Sequence, residues 1–233
     1  MSDPSRRDLK GAAPPKAVSR AGALALAGII GPVWFTTLVV LQGFLLPDYS
    51  HVQLPISALA AWPTGWIQIL NFVVFGALTI VFAIGLHAGM KPTPRGGWGL
   101  ALLVASGVGL VMAGVFPWKM VSGVPTETPA HVAGAITTFA AGGLAMVVFS
   151  RRMSADPRWR DLSTYTMATG IAVLLLFVIV GFFAVDDGTP LHPWAGLIQR
   201  VLCAVWFTWE IVLASRLRRL FARSAARGMT LPS

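Results

Sequence analysis

WAGLIQRVLCAVWFTWEIVLA, residues 194–214, is the stretch that decides the fold class. Wound as a helix at about 1.5 Å per residue, it covers the ~30 Å of a bilayer's hydrocarbon. Arg200 interrupts it. A guanidinium at that depth is costly and calls for a partner or a wet cavity. Arg200 lies about seven residues past Pro193, roughly 10 Å along a helix. Helical side chains lean toward their own N-terminus, so Arg200 reaches back toward the loop before it.

Five other apolar stretches lie upstream, and the six run at about 22–46, 67–89, 98–117, 130–150, 163–184 and 195–215. Backbone polar groups must satisfy one another in lipid, so the expected fold class is an all-α membrane protein, a bundle of six transmembrane helices. The composition agrees: 55% hydrophobic and 12% charged, about half the charged share of a soluble domain. Cys203 stands alone, so no intrachain disulfide framework exists. The first stretch is too long for a signal-peptide core and is read as a retained helix.

The net charge of +9 is a topology signal. Arg6, Arg7, Lys10, Lys16 and Arg20 precede the first helix, and Lys91 and Arg95 join the second to the third. Arg151, Arg152, Arg158 and Arg160 join the fourth to the fifth, and five arginines from Arg216 to Arg227 follow the sixth. This puts 16 of 18 basic residues on one side, which the positive-inside rule assigns to the cytoplasm with both termini. With no binding motif or soluble domain, no nucleic-acid partner is expected. Residues 1–20 read as a disordered basic cytoplasmic tail, 21–217 as the six-helix domain and 218–233 as a second basic tail. No internal repeat is evident. The Ala-, Gly-, Arg- and Pro-heavy composition suits a bacterial plasma (inner) membrane protein.

Small residues recur at four-residue spacing in the fourth helix, at Ala130, Gly134, Thr138 and Gly142. In the third, Gly107, Gly109, Ala113 and Gly114 offer the same close approach between helices. Trp62, Trp66, Trp118 and Trp194 fall near one interface, and Trp98, Trp159 and Trp209 near the other.

The extracytoplasmic loops concentrate the functional-looking groups. Asp48, His51 and Ser57 lie between helices 1 and 2, Glu127 just before His131 at the head of helix 4, and Asp186, Asp187 and His192 between helices 5 and 6. Gln68 and Asn71 are three apart on one face of helix 2. Gln199 and Arg200 belong to the outer half of helix 6. An arginine beside such acids suits a bidentate bridge to Asp48, Glu127, Asp186 or Asp187, or a ligand's phosphate or carboxylate. Three histidines on one face raise metal binding, but they come from separate loops without the short paired spacings of metal sites; no metal or other cofactor is expected. Thr128 before Pro129 reads as the N-cap of helix 4. Ser57 and His131 are the candidate catalytic pair, a hydroxyl and a base; the alternative for Ser57 is the cap of a short interfacial helix through Ala58–Trp62. On the cytoplasmic side, Glu210 is expected to meet an arginine of the 151–160 loop.

These residues carry a resemblance. Ala27-Gly28-Ile29-Ile30-Gly31-Pro32, the loop His51-Val52-Gln53-Leu54-Pro55-Ile56-Ser57, and Gly65-Trp66-Ile67-Gln68 with Asn71-Phe72 come first. Gly114-Val115-Phe116-Pro117, His131 and Gly196-Leu197-Ile198-Gln199-Arg200 follow. In this order the chain resembles the DUF998 family of six-helix integral membrane proteins over about residues 20–217. The resemblance implies the fold and the membrane, and lends no catalytic residue. Such members commonly carry an acid soon after the Phe-Pro pair; here Trp118-Lys119 follows, and Glu127 is the nearest substitute.

The expectation is an outer polar pocket of Arg200, Gln199, His131, His51, Asp48, Glu127, Asp186, Asn71 and Gln68. Its partners would be membrane lipids or another amphipathic small molecule. The alternatives are a membrane-embedded hydrolase or lipid-modifying enzyme, a structural scaffold, and a small-molecule transporter, the last weakened by the lack of an inverted repeat.

Overall fold

The structure, a computed structural model, describes residues 16–184 and 188–226. Among these, six long helices form α1 (Lys16–Leu45), α2 (Trp66–Ala88), α3 (Gly97–Val115), α4 (Pro129–Ser154), α5 (Ser163–Phe183) and α6 (Ala195–Ala226). All six are long and apolar enough to cross a membrane. Each packs on its neighbours in the chain, and α6 closes the ring against α1. The chain is a six-helix integral membrane protein, as its hydropathy requires.

The expected tail over residues 1–20 needs correcting at its end. The helix already starts at Lys16, directly after the Pro14-Pro15 pair, and residues 1–15 lie outside the described residues. At the other terminus α6 runs past 217 to Ala226, since its Arg, Leu and Ala residues are all good helix formers. The chain between α3 and α4 also holds a small hairpin, β1 (Lys119–Val121) against β2 (Val124–Thr126). Ser122 and Gly123 both take positive φ, 51° and 82°, the requirement of the tight turn favoured in hairpins. The Ser-Gly dipeptide between valines is its sequence signal.

Lipid supplies no hydrophobic drive between helices, so close backbone approach has to hold the ring together. Three successive interfaces use reciprocal glycine pairs. A Cβ on Gly76 would lie 2.6 Å from the Gly107 carbonyl, and one on Gly107 2.7 Å from that of Gly76. Gly109 and Gly134 face each other likewise across α3 and α4, and Gly143 and Gly170 across α4 and α5. Ser106 Oγ donates to the Thr138 carbonyl at 2.9 Å beside the Gly109–Gly134 contact. Gly142, the last small residue of the α4 stripe, makes room for the Trp206 indole from α6.

Two tryptophans assigned to an interface belong to the core instead. Trp159 and Trp209 are fully buried. Trp159 Nε1 donates to the Gly89 carbonyl and Trp209 Nε1 to Thr166 Oγ1. Trp66, Trp98 and Trp194 stay more than half exposed, as belt residues should.

Candidate functional site

The outer polar residues separate into three groups, because α6 and the 46–61 segment stand between them. The first is a clasp around Arg200. Its Nη1 donates to the Leu54 and Gly196 carbonyls at 3.2 and 2.9 Å, and its Nη2 to Tyr49 Oη at 2.7 Å and His51 Nδ1 at 3.1 Å. The described partners are all neutral. Main-chain carbonyls and a tyrosine do the work expected of Asp48, which is exposed; Asp186 and Asp187 lie outside the described residues. The same seam is sewn by backbone bonds, Gly196 N–H to the Gln53 carbonyl and Leu197 N–H to that of Val52. These two N–H groups belong to the unsatisfied first turn of α6, so the loop serves as its cap. A side chain at Gly196 would run into the Leu54 carbonyl.

The clasp fixes protonation as well as position. A guanidinium only donates, so His51 Nδ1 is an acceptor there and the ring is neutral. Burial first, and then the Arg200 charge, push the His51 imidazole below its ordinary value. Burial likewise raises the Tyr49 phenol, against the pull of Arg200, so it stays a donor to the Leu54 and Pro55 carbonyls. In an unfolded chain the imidazole titrates near 6.5. The stability this ring supplies is therefore whole above that pH and is lost as pH falls through it. The thermal midpoint in detergent is expected to fall more steeply from about pH 7.5 to about pH 5.5 in the wild type than in His51→Gln; parallel slopes would refute the linkage.

The second group lines a cleft. The 3-10 helix Ile56–Ala61 holds Ser57 as its second residue, with Pro55 at the cap position, so Ser57 does not cap it. Gln199 Oε1 accepts from Ile56 N–H at 2.6 Å, tying this turn to α6. Thr128 Oγ1 accepts from His131 N–H at 3.3 Å, the cap expected of it, and starts α4 with His131 facing inward. His131 Nδ1 bonds to the Ala113 carbonyl at 2.9 Å, which puts the proton of the neutral ring on Nδ1 and leaves Nε2 as the acceptor. Ser57, His131 and Gln199 line a cavity of about 40 Å³ in the middle of the ring. They also line a larger cleft of about 310 Å³ that Glu127 and Trp118 join. Ile136, Phe139, Phe177, Val180 and Phe182 from α4 and α5 form its apolar walls. Trp118 Nε1 is buried without a hydrogen-bond partner among the described residues.

The third group is Gln68 and Asn71, fully buried on α2. Asn71 Nδ2 donates to the Phe35 carbonyl on α1 and to Gln68 Oε1, so the pair ties two helices together away from the cleft. Arg200, the expected centre of the pocket, borders a separate hollow against α1. Among the described residues no three His, Cys, Asp or Glu side chains converge as metal ligands.

The basic face holds a matching clasp that sequence reasoning missed. Arg152 is 8% exposed and gives hydrogen bonds to the carbonyls of His87, Met90, Lys91 and Gly96 and to His87 Nδ1. It closes the α2–α3 loop onto α4. Asp156 receives Lys91 N–H and both N–H and guanidinium bonds from Arg158. Burial opposes ionisation of Asp156, but these bonds outweigh it and hold the carboxyl below the usual range. Arg152 and Arg158 are thus occupied elsewhere, and Glu210 does not meet an arginine of that loop. It is fully buried on α6, and neither carboxylate oxygen has a hydrogen-bond partner among the described residues.

Six membrane-spanning helices in a closed ring, clasped at each face by an arginine on main-chain carbonyls, define a multi-pass integral membrane protein. Residues 29–216 match the family described as "Protein of unknown function (DUF998)", and the chain belongs to that family. The match runs from within α1 to within α6 and includes both clasps. No curated protein and no solved structure matches the chain.

Proposed function

We propose that this protein binds an amphipathic molecule, a lipid or lipid-like compound, by its headgroup in the cleft between α4, α5 and α6. The observation that carries the reading is the mixed polar and apolar lining of the cleft. Ser57, His131, Gln199, Glu127 and the unpartnered Trp118 indole N–H line it together with the apolar side chains of Ile136, Phe139, Phe177, Val180 and Phe182. Buried polar groups without partners are rare in folded proteins, and a ligand's oxygens would satisfy the indole. The basic residues support reading this face of the protein as the extracytoplasmic side of a plasma membrane, with both termini cytoplasmic. Arg200 then acts from behind, holding the Tyr49–Ile56 segment that carries Ser57.

A lysophospholipid added to the delipidated protein tests the reading by native mass spectrometry. Ala135→Trp, which fills the cleft wall, is expected to abolish the bound species. His131→Gln should weaken it about tenfold, the worth of roughly one hydrogen bond in an apolar setting. Undiminished occupancy in Ala135→Trp would refute the site. A second reading, hydrolysis, draws on Ser57 and His131 lining the same cavity and the His131 Nε2 lone pair. It requires release of the acyl chain by the wild type and none by Ser57→Ala.

A further inference from the structure

A second groove lies at the opposite, basic face, between the start of α3 and the end of α4. Its volume is about 390 Å³. Arg95 and Arg151 border it from the two sides, with Trp98 at its mouth and Val148 and Phe149 along its floor. Both arginines are exposed, and no described hydrogen bond or ion pair occupies either guanidinium. This sets them apart from Arg152 in the same wall, whose guanidinium the 87–96 loop already saturates. Trp98 is 66% exposed at the level where α3 enters the membrane, the position an interfacial indole takes among headgroups. Just beyond it Gly99 packs on the Phe149 ring, which a Cβ there would meet at 3.1 Å, and Val148 gives the groove an apolar wall.

We infer that this groove is a binding site for one anionic phospholipid of the leaflet at the basic face. Arg95 and Arg151 take the headgroup phosphate from two directions, as fork-shaped donors suited to it. Trp98 covers the glycerol level, and one acyl chain lies along Val148. Basic pockets between helices on this side of a membrane are where anionic headgroups are held. The charge pattern selects the ligand: the groove presents two free cations and no carboxylate among its lining residues. The site shares no residue with the cleft beside His131, and neither depends on the other.

The full chain, delipidated and placed in nanodiscs of phosphatidylcholine with a minor share of phosphatidylglycerol, tests this. Native mass spectrometry reads which lipid stays bound. The wild type is expected to retain one phosphatidylglycerol in preference to phosphatidylcholine. Arg95→Gln/Arg151→Gln should reduce that preference about thirtyfold, roughly fivefold for each basic contact. Arg218→Gln/Arg219→Gln removes the same charge from exposed positions on α6 outside the groove and should leave the preference intact. Equal loss in both double variants would reduce the effect to net charge and overturn the proposal. Unchanged preference in the groove variant would overturn it too. Displacement of the lipid by glycerol phosphate at equal concentration would make the groove a free-anion site, which also refutes a lipid site.

Discussion

Arg152→Ala is expected to destabilise the folded protein by about 3 kcal/mol, a large effect for one side chain at a membrane face. The alanine would strand the carbonyls of His87, Met90 and Lys91, which the guanidinium now satisfies at 3.3, 3.0 and 2.7 Å. Hydrogen bonds to a charged donor are worth roughly 1.5–3 kcal/mol each, and buried acceptors left unpaired cost their desolvation as well. The neighbouring contacts, Lys91 N–H on Asp156 and Trp159 Nε1 on Gly89, share the same loop and would loosen with it. Arg152→Lys should recover less than half, since one ammonium cannot span carbonyls that a planar fork reaches together. Unfolding by sodium dodecyl sulfate in mixed micelles measures the difference, and hydrogen exchange locates it to residues 87–96. A midpoint for Arg152→Ala within about 0.5 kcal/mol of wild type would show that the clasp is dispensable.

Gly134→Val is expected to be as damaging, by a different route. A Cβ at this position lies 2.8 Å from the Gly109 carbonyl and 2.9 Å from Ala113 N, both main-chain atoms of α3. A flexible side chain could turn away; a neighbouring helix backbone can only move as a unit. Separating α3 from α4 would also break the Ser106–Thr138 hydrogen bond and pull Ala113 from His131 Nδ1. Overpacking of this kind costs about 1–3 kcal/mol in soluble cores, and the coupled losses place Gly134→Val at the upper end. Gly181→Ala is the control, because nothing lies within 4 Å of the added methyl. Size-exclusion profiles and thermal midpoints in detergent should show Gly134→Val aggregating or melting early while Gly181→Ala behaves as wild type. If the two behave alike, reciprocal glycine contact is not what holds these helices.

The two arginines show where reading the chain succeeds and where it stops. Both stand in the sequence as charges beside apolar runs, yet Arg200 drew attention and Arg152 did not. Arg200 interrupts an apolar stretch, whereas Arg152 follows Arg151 in a basic loop, where the positive-inside pattern already accounts for it. Burial separates Arg152 from the exposed Arg151, and burial is decided by which loop folds over which helix. Composition displays carboxylates as partners for Arg200 and hides carbonyls. Every residue carries a carbonyl, so nothing in the sequence marks Leu54 or Gly196 as its acceptors. Trp159 and Trp209 erred in the same way, since depth along the chain does not say which side of a helix a ring takes.

What the sequence determined by itself was local in origin. Length and apolarity set six spans, Thr128 before Pro129 set the start of α4, and the small residues of α3 and α4 marked the faces of closest approach. These depend on residues within a turn or two of one another, or on a uniform solvent. Only the tertiary structure decided that Arg200 and His51 part company from Ser57, His131 and Gln199, that Gln68 and Asn71 tie α2 to α1, and that Arg95 and Arg151 border one groove. Those outcomes depend on distances of about 3 Å between segments far apart in the chain. The packing of the helices and loops on one another sets them, and no local pattern encodes it.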